Sequence, residues 1–408
     1  MSKGTARSPE GLRVIEDVFE SIYDFDELCE AHRKARKGKR YRGDVMRFTS
    51  RLEENLIELS NELQWETYRV GAYRRFYVHE PKLRLVMALQ YRDRIVQWSI
   101  YQKLNPFYDR LFIEDSYACR IGKGSHKAAD RLQYWLRQAE RRPGKWYYLK
   151  LDISKYFYRV DHAILQRILA KRIKDERLLR LLNTIINSED TCFGLPAGLA
   201  PEDCSEDMWL WDVGMPIGNL TSQLFANIYL NELDQYAKHT LRIHHYIRYM
   251  DDIVILSDDK KELAEIRAQV EEFLFTELHL SLNKKTTIRP ITLGIDFVGY
   301  QMWATHRKLK KATARRIIRH VSAMCELMAA GELSVEAFDR AVASYNGIFQ
   351  HCNSYGLRQK LNSIYKEKYL AIVNGAEPEA PAAAREMADK NSTGGGERDG
   401  GWNHPEGA

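Results

Sequence analysis

The sequence predicts a mixed α+β fold, and three observations carry that prediction. Apolar residues recur at helical spacing through much of the chain, but short β-branched and aromatic runs interrupt them. Hydrophobic residues make up 44% of the 408 positions, enough for one large core or two to three subdomains. Near mid-chain, Tyr246-Ile247 and Ile253-Val254-Ile255-Leu256 flank Tyr249-Met250-Asp251-Asp252, which reads as a tight β-hairpin with acids at its turn.

The elements follow in order. The first 68 residues read as helical, with Leu52, Leu56, Leu59 and Leu63 at helical spacing. Strands are expected at 73–78 and 85–89, helices at 93–104 and 127–140, and a strand at 146–153. Helices fit 162–173 and 175–186. Residues 187–214 carry Gly194, Pro196, Gly198, Pro201 and seven acids, and read as an inserted loop, either a lid or a partner contact. A helix at 220–238 leads into the acidic hairpin. Beyond it come a helix at 261–278, a strand at 295–303, and largely helical stretches at 312–330 and 335–365. From about 374 the chain is rich in Ala, Pro and Gly and reads as a disordered tail.

Charge is uneven. Residues 374–408 hold seven acids and three bases, leaving 59 bases against 49 acids in residues 1–373. A basic body favours a polyanionic partner. Residues 33–42 hold seven bases and no acid, suiting contact with a phosphate backbone as well as a solvated face. The six cysteines form no Cys-x-x-Cys pair, which argues against structural zinc; Cys192 and Cys204 either pair or remain thiols. No signal peptide and no membrane-spanning apolar run is seen, so a cytoplasmic setting is expected.

Adjacent like charges on a turn raise each other's pKa unless a cation neutralises them. Asp251-Asp252 alone is also compatible with a solvated turn. Upstream, an apolar strand ends in Leu151-Asp152-Ile153, with Phe157 five residues after Asp152. Phosphoryl transfer to a 3′-hydroxyl uses two metals roughly 4 Å apart, and Mg2+ takes oxygen ligands. Asp152, Asp251, Asp252 and the carbonyl of Ile153 would supply them. Phe157 would then lie beneath the nucleotide sugar, where a ring excludes a 2′-hydroxyl. The alternatives are a helix cap for Asp152 and core packing for Phe157.

Between these motifs stands Gly214-Met215-Pro216-Ile217-Gly218-Asn219-Leu220-Thr221-Ser222-Gln223. Leu151-Asp152…Phe157, this Gly-x-Pro-x-Gly-x-x-x-Ser segment and Tyr-Met-Asp-Asp resemble, in order and spacing, the palm of a reverse transcriptase. Pro81-Lys82-Leu83-Arg84 with Asp93-Arg94-Ile95-Val96-Gln97 resembles its fingers. The segments 116–124 and Phe297-Val298-Gly299-Tyr300 resemble its next block and its primer grip. The resemblance covers roughly residues 28–320. Ile217 and Ser222-Gln223 are similar to the reverse transcriptases of diversity-generating retroelements, within the group II intron-like bacterial enzymes. So are the basic runs at 33–40 and 305–311.

The resemblance implies a right-hand polymerase fold with fingers, palm and a small helical thumb. The expected division is a helical extension (1–70), fingers (71–145), a palm with fingers helices and the 187–214 loop (146–303), a thumb (304–373) and the tail (374–408). It implies RNA-directed DNA synthesis from an RNA template, a DNA or RNA primer and dNTPs, with two Mg2+ ions or Mn2+ in their place. It also implies mutagenic copying and a small basic accessory protein; an antiphage-defence role is the alternative. A non-catalytic RNA-binding scaffold is disfavoured, because it needs none of the three acids.

Lys82 and Arg84 would clamp the triphosphate, Arg84 in bidentate fashion. Arg120 would contact triphosphate or template. Ile217, Gly218 and Gln223 would line the nucleotide site, and Ile217 would relax base discrimination by offering shape without a hydrogen bond, unless it only fills an apolar gap. Lys284 or Lys285 lies where a general acid for pyrophosphate is expected, with no basis for choosing between them. Tyr249, Met250, Phe297, Gly299 and Tyr300 would meet primer or template. Arg307, Lys308, Lys310, Lys311, Arg315 and Arg316, read as part of one helix, would grip the duplex through phosphates.

Overall fold

The computed structural model describes residues 5–7, 13–79, 83–189 and 191–370. Two compact units account for them, one drawn from residues 1–128 and 144–290, the other from 129–143 and 291–408. Lys82 and the expected tail lie outside the described residues.

The first unit opens on an antiparallel ribbon of β1 (Thr5–Arg7) and β2 (Arg13–Ile15), followed by α1 (Glu20–Tyr23), α2 (Phe25–Ala35), α3 (Gly43–Ser50) and α4 (Leu52–Gln64). Asp24 caps α2 by accepting from the Glu27 amide at 3.1 Å, worth about 1 kcal/mol. In the 33–42 basic run, Arg33 and Lys34 sit in the last turn of α2, where cations complement the helix dipole.

The strands β3 (Arg74–Val78) and β4 (Arg84–Ala88) pair as a two-stranded hairpin. Next comes α5 (Tyr91–Tyr108), buried at Ile95, Val96, Ile100 and Leu104, but also at Asp93, Gln97 and Ser99. A helix buried this widely lies inside the fold rather than on its surface. Two of these polar groups are paired: Asp93 accepts from the Tyr68 hydroxyl at 2.8 Å, and Ser99 donates to the Ile22 carbonyl at 2.7 Å. Then comes α6 (Ser125–Glu140), which from Ala129 belongs to the second unit, and the first unit resumes with β5 (Tyr147–Asp152), α7 (His162–Arg172), α8 (Glu176–Ile186), α9 (Leu220–Gln235), β6 (Tyr246–Tyr249), β7 (Asp252–Ser257), α10 (Lys260–Leu278) and β8 (Thr287–Pro290). Helices α7 and α8 are capped by Asp161 and Asp175, which accept from Ile164 N at 2.9 Å and Leu178 N at 3.1 Å.

Four strands make an antiparallel sheet in the order β6-β7-β5-β8. Leu149 and Leu151 of β5 and Ile253 and Ile255 of β7 join Leu224, Phe225 and Tyr229 of α9 in one core cluster. Burying each large apolar side chain contributes roughly 1.5–3 kcal/mol. Strand β8 was not expected, nor was the β1–β2 ribbon, which lies in a stretch read as helical.

The 187–214 segment is ordered where described. Two single 3-10 turns (Pro201–Asp203 and Glu206–Met208) and paired amides between Gly194 and Leu210, both 3.0 Å, fold it onto a small cluster of Phe193, Leu195, Trp209, Leu85, Met87 and Tyr158. All six cysteines are free, so Cys192 and Cys204 are thiols.

In the second unit, β9 (Ile295–Phe297), β10 (Tyr300–Met302) and β11 (Arg307–Leu309) form a sheet in the order β11-β10-β9. The single strand expected at 295–303 is thus a hairpin, broken by Val298 and Gly299, both at positive φ (42° and 89°). Helices α11 (Lys311–Ala329), α12 (Val335–Phe349) and α13 (Tyr355–Tyr365) pack around Ile317, Val321, Cys325, Phe338, Val342, Phe349 and Leu361. The basic segment at 307–319, expected to be one helix, begins as β11 and becomes helical only at Lys311. No described helix is long and apolar enough to cross a membrane.

Candidate active site

The site grows from the register of β5 and β7. Asp152, the last residue of β5, stands directly opposite Asp252, the first of β7. On the other side of β7, Tyr249 pairs with Asp252, so Met250 and Asp251 alone make the β6–β7 turn. Met250 carries φ 57°, a left-handed conformation that a two-residue hairpin demands and a methionine adopts at a cost. Asp152 and Asp252 therefore meet across one ladder rung, with Asp251 one residue away on the turn.

Asp251 senses the other two carboxylates. The Asp251 carboxyl is raised above the usual carboxylate range, first by burial, then by Asp252 and Asp152; Arg84 opposes the rise. Such crowding fits an oxygen-ligated divalent cation. Among the described residues no three His, Cys, Asp or Glu side chains already converge to hold an ion. The three donors are carboxylates on adjoining strands and their turn, and their side chains are not arrayed around one point.

Lys150 is a local cation that no sequence motif marks. It lies two residues before Asp152, on the same face of β5, and its Nζ sits 2.9 and 3.1 Å from the two oxygens of Asp252. Strand periodicity already places Lys150 and Asp152 on one face. That Lys150 leans across to β7 follows only from the pairing register.

Ile153 continues β5 into an isolated bridge with Leu282. That bridge runs from Ser154 N to Ser281 O (2.9 Å) and from Asn283 N to the Asp152 carbonyl (2.7 Å), so the Ile153 carbonyl takes no part in it. Lys284 and Lys285 are both exposed on the following turn. Asn283 shapes that turn, accepting from Thr286 N through its carbonyl (3.0 Å) and from Lys285 N through Oδ1 (3.1 Å). One hydrogen bond thus ties both lysines to Asp152. Asn283, like Lys150, carried no motif that would single it out.

Phe157 sits in a 3-10 turn entered through Lys155 at φ 47°. Its ring is half-buried against the main core and meets Tyr156 edge-on at 5.6 Å. Its carbonyl accepts from Met215 N at 2.7 Å, and the Val160 carbonyl accepts from Gly214 N at 2.7 Å. The glycine-rich segment is thereby fastened beside the Asp152 strand. At its far end the Ile217 carbonyl accepts from Met87 N on β4 at 3.2 Å, while the Ile217 side chain packs on the small cluster around Leu85 and Met87. Gly218 is exposed at φ 116°, with the Val86 side chain 3.2 Å from where a Cβ would stand. Gln223 is half-buried in the first turn of α9. Gln97 of α5 caps that helix through its Oε1, 3.2 Å from Leu220 N, a role no local pattern predicts. Tyr249 is half-buried, and burial raises its phenol.

Arg120 departs from expectation. Its Nε donates to Asp109 Oδ1 at 2.6 Å, Nη1 to the Ile113 and Ser116 carbonyls at 2.7 and 2.9 Å, and Nη2 to the Asp109 carbonyl at 3.0 Å. The side chain is only 6% exposed. It braces its own loop and is not presented to a triphosphate or template. Arg120→Ala is expected to cost about 2–3 kcal/mol, read as a lower melting temperature, with the dNTP KM unchanged. A raised KM at unchanged stability would restore the contact role.

The second unit shows the same sorting. Phe297 and Tyr300 are buried in its sheet, so the hairpin presents the Val298-Gly299 tip rather than those rings. Arg307 also turns inward: it bonds Asp130 at 2.7 Å and the His351 carbonyl, and lies 5.5 Å from the Tyr300 ring centre. It is therefore not a free phosphate contact. Lys310 is half-buried, 4.0 Å from Asp296, and Arg316 is half-buried too. Lys308, Lys311 and Arg315 are exposed. With exposed Arg319, the last two recur every fourth residue and share one face of α11.

The chain is similar to known proteins. The family profile described as reverse transcriptase (RNA-dependent DNA polymerase) matches residues 79–302. Protein YkfC of Escherichia coli is 28% identical over 308 residues, covering 67% of this chain and 76% of that protein. The group II intron-encoded protein LtrA of Lactococcus lactis is 21% identical over 319 residues, covering 61% of this chain and 50% of LtrA. Among solved structures, a Candida albicans telomerase aligns with a TM-score of 0.48 at 13% identity, over 81% of this chain and 59% of that one.

Proposed function

Because the chain belongs to the reverse transcriptase family, RNA-directed DNA polymerases whose substrates are an RNA template and nucleotides, we propose that it copies RNA into cDNA at the Asp152–Asp251–Asp252 site. The observation that carries this reading is the direct opposition of Asp152 and Asp252 with Asp251 at the adjoining turn. In this reading the three carboxylates and the Ile153 carbonyl hold Mg2+, or Mn2+ in its place, and the bound ions would activate the primer 3′-hydroxyl and stabilise the leaving pyrophosphate. The chain's own residues do the rest. Lys150 exchanges its ion pair with Asp252 for solvent when that carboxylate turns to a cation. Arg84, whose charge acts on Asp251, and Lys82 hold the triphosphate. Lys284 or Lys285 donates a proton to pyrophosphate from a turn tied to Asp152. Phe157 stands under the sugar, and Ile217, Gly218 and Gln223 border the base pair.

The subdomains follow the same proposal. The β3–β4 hairpin belongs to fingers, the four-stranded sheet to a palm, and α11–α13 to a thumb. Lys308 on β11 and Lys311 and Arg315 on one face of α11 make sequence-independent phosphate contacts, because exposed cations suit a duplex of any sequence.

For biological role, Ile217 and Ser222-Gln223 favour mutagenic copying in a diversity-generating retroelement. A hydrophobic residue at 217 bonded only through its backbone carbonyl offers shape without polar discrimination. The folded 187–214 segment, with its own apolar cluster, favours an antiphage-defence role instead. Sequencing cDNA made on a defined RNA template separates them: errors concentrated at template adenines are expected, and errors spread evenly over the four bases would rule out the mutagenic role.

A further inference from the structure

The acidic turn rests on a buried charge network that the chemistry above does not use. Arg248, on β6, and Asp234, on α9, both have side chains 0% exposed. Arg248 Nε donates to Asp234 Oδ1 and Oδ2 at 2.8 and 2.9 Å, and Nη2 donates to Oδ2 at 2.6 Å. This fork fixes the plane of the guanidinium. Nη1 is left pointing along the strand, where it donates to the Met250 carbonyl at 3.1 Å and to Asn227 Oδ1 at 3.2 Å. The Tyr246 hydroxyl donates to Asp234 Oδ1 at 2.8 Å, and Asn227 Nδ2 donates to the Ala118 carbonyl at 2.8 Å. The Arg248 backbone is clamped as well, its N–H to the Asp115 carbonyl at 2.9 Å and its carbonyl to Tyr117 N at 3.0 Å.

Stability alone is a poor reason for this arrangement. A buried ion pair is often no more stabilising than apolar residues of equal volume, because both charges must be desolvated. What an apolar pair cannot supply is a rigid cationic donor aimed at one backbone carbonyl. That carbonyl belongs to Met250, the residue held at φ 57°. Residues held in such sparsely populated conformations persist only where their surroundings over-determine them. The next two residues are Asp251 and Asp252.

We propose that Arg248, oriented by Asp234, is a positioning residue that locks the Met250–Asp251 turn and so presents Asp251 and Asp252 to a divalent cation. The proposal rests on the acidic-site reading above and adds the device that shapes it. It makes metal affinity depend on a side chain that touches no metal, as outer-shell partners do elsewhere.

The test uses the full chain and two variants. In Arg248→Lys the charge opposite Asp234 stays but the fork is lost. In Arg248→Met with Asp234→Leu the whole charge pair is replaced by apolar volume. Mn2+ binding without nucleic acid is measured by electron paramagnetic resonance, beside circular dichroism, melting temperature, and kcat and KM for dNTP. Both variants are expected to fold, to bind Mn2+ about tenfold or more weakly, and to lose a similar factor in kcat while the dNTP KM changes little. If the double variant does not fold, Arg248→Lys decides alone. Wild-type Mn2+ affinity and kcat in a folded variant would overturn the proposal. Asp251→Ala with Asp252→Ala runs alongside. If it loses Mn2+ binding while the Arg248 variants keep it, only the positioning role fails. If it too binds Mn2+ like wild type, the acidic-site reading fails first.

Discussion

Asp252→Asn is expected to lower the rate of primer extension by about a thousandfold or more, equivalent to roughly 4 kcal/mol of transition-state stabilisation. The substitution keeps size and hydrogen-bonding capacity but removes the negative charge that faces Asp152 across the ladder. It also removes the ion pair with Lys150 at 2.9 Å. That pair is partly exposed, so its loss changes global stability by no more than about 1 kcal/mol. The prediction is therefore a separation: a large fall in rate with a melting temperature close to wild type. A parallel fall in both would mean that Asp252 acts chiefly on folding.

Gly214→Val should do the opposite and damage structure first. Gly214 holds φ 97°, and a Cβ there would stand 2.5 Å from the Phe193 carbonyl carbon and 2.6 Å from Gly194 N. Both are backbone atoms of the folded 187–214 segment and cannot swing aside. Left-handed strain and overpacking together should cost about 3 kcal/mol or more. The damage will spread along defined links. Gly214 N bonds the Val160 carbonyl, Met215 N bonds the Phe157 carbonyl, and the Gly214 carbonyl receives His162 Nε2 at 2.7 Å. Shifting Gly214 thus shifts Phe157 and the segment leading to Ile217. A melting-temperature loss with falls in both kcat and dNTP affinity is expected; a wild-type melt would show that the segment can relax without strain.

Much of the candidate site was legible in the sequence because it depends on local patterns. Alternating apolar runs ending in acids define β5 and the β6–β7 hairpin. The caps at Asp161 and Asp175 were also within reach, since each precedes a helical run. What sequence could not supply was the direction in which long cations point. Arg120 and Arg307 sit in basic, motif-rich stretches, yet both turn inward to carbonyls and carboxylates supplied by residues up to 177 positions away. Charge counting cannot separate such residues from exposed Lys311 and Arg315. Strands β8 and β11 were missed for a related reason. Each is at most four residues long, and Thr287–Pro290 ends in a proline fit only for a sheet edge, so pairing rather than propensity makes them strands. Lys150 shows the intermediate case: its face was predictable, its partner was not.

We propose that Asp152, Asp251 and Asp252 form one site for DNA synthesis on an RNA template. The direct measurement is extension of a labelled primer on a defined RNA template with Mg2+ and dNTPs, comparing wild type with Asp251→Ala plus Asp252→Ala at matched folding. Wild type is expected to make full-length cDNA and the double variant none. Extension by the double variant at the wild-type rate, or none from wild type under any primer or with Mn2+, would overturn that assignment of the site.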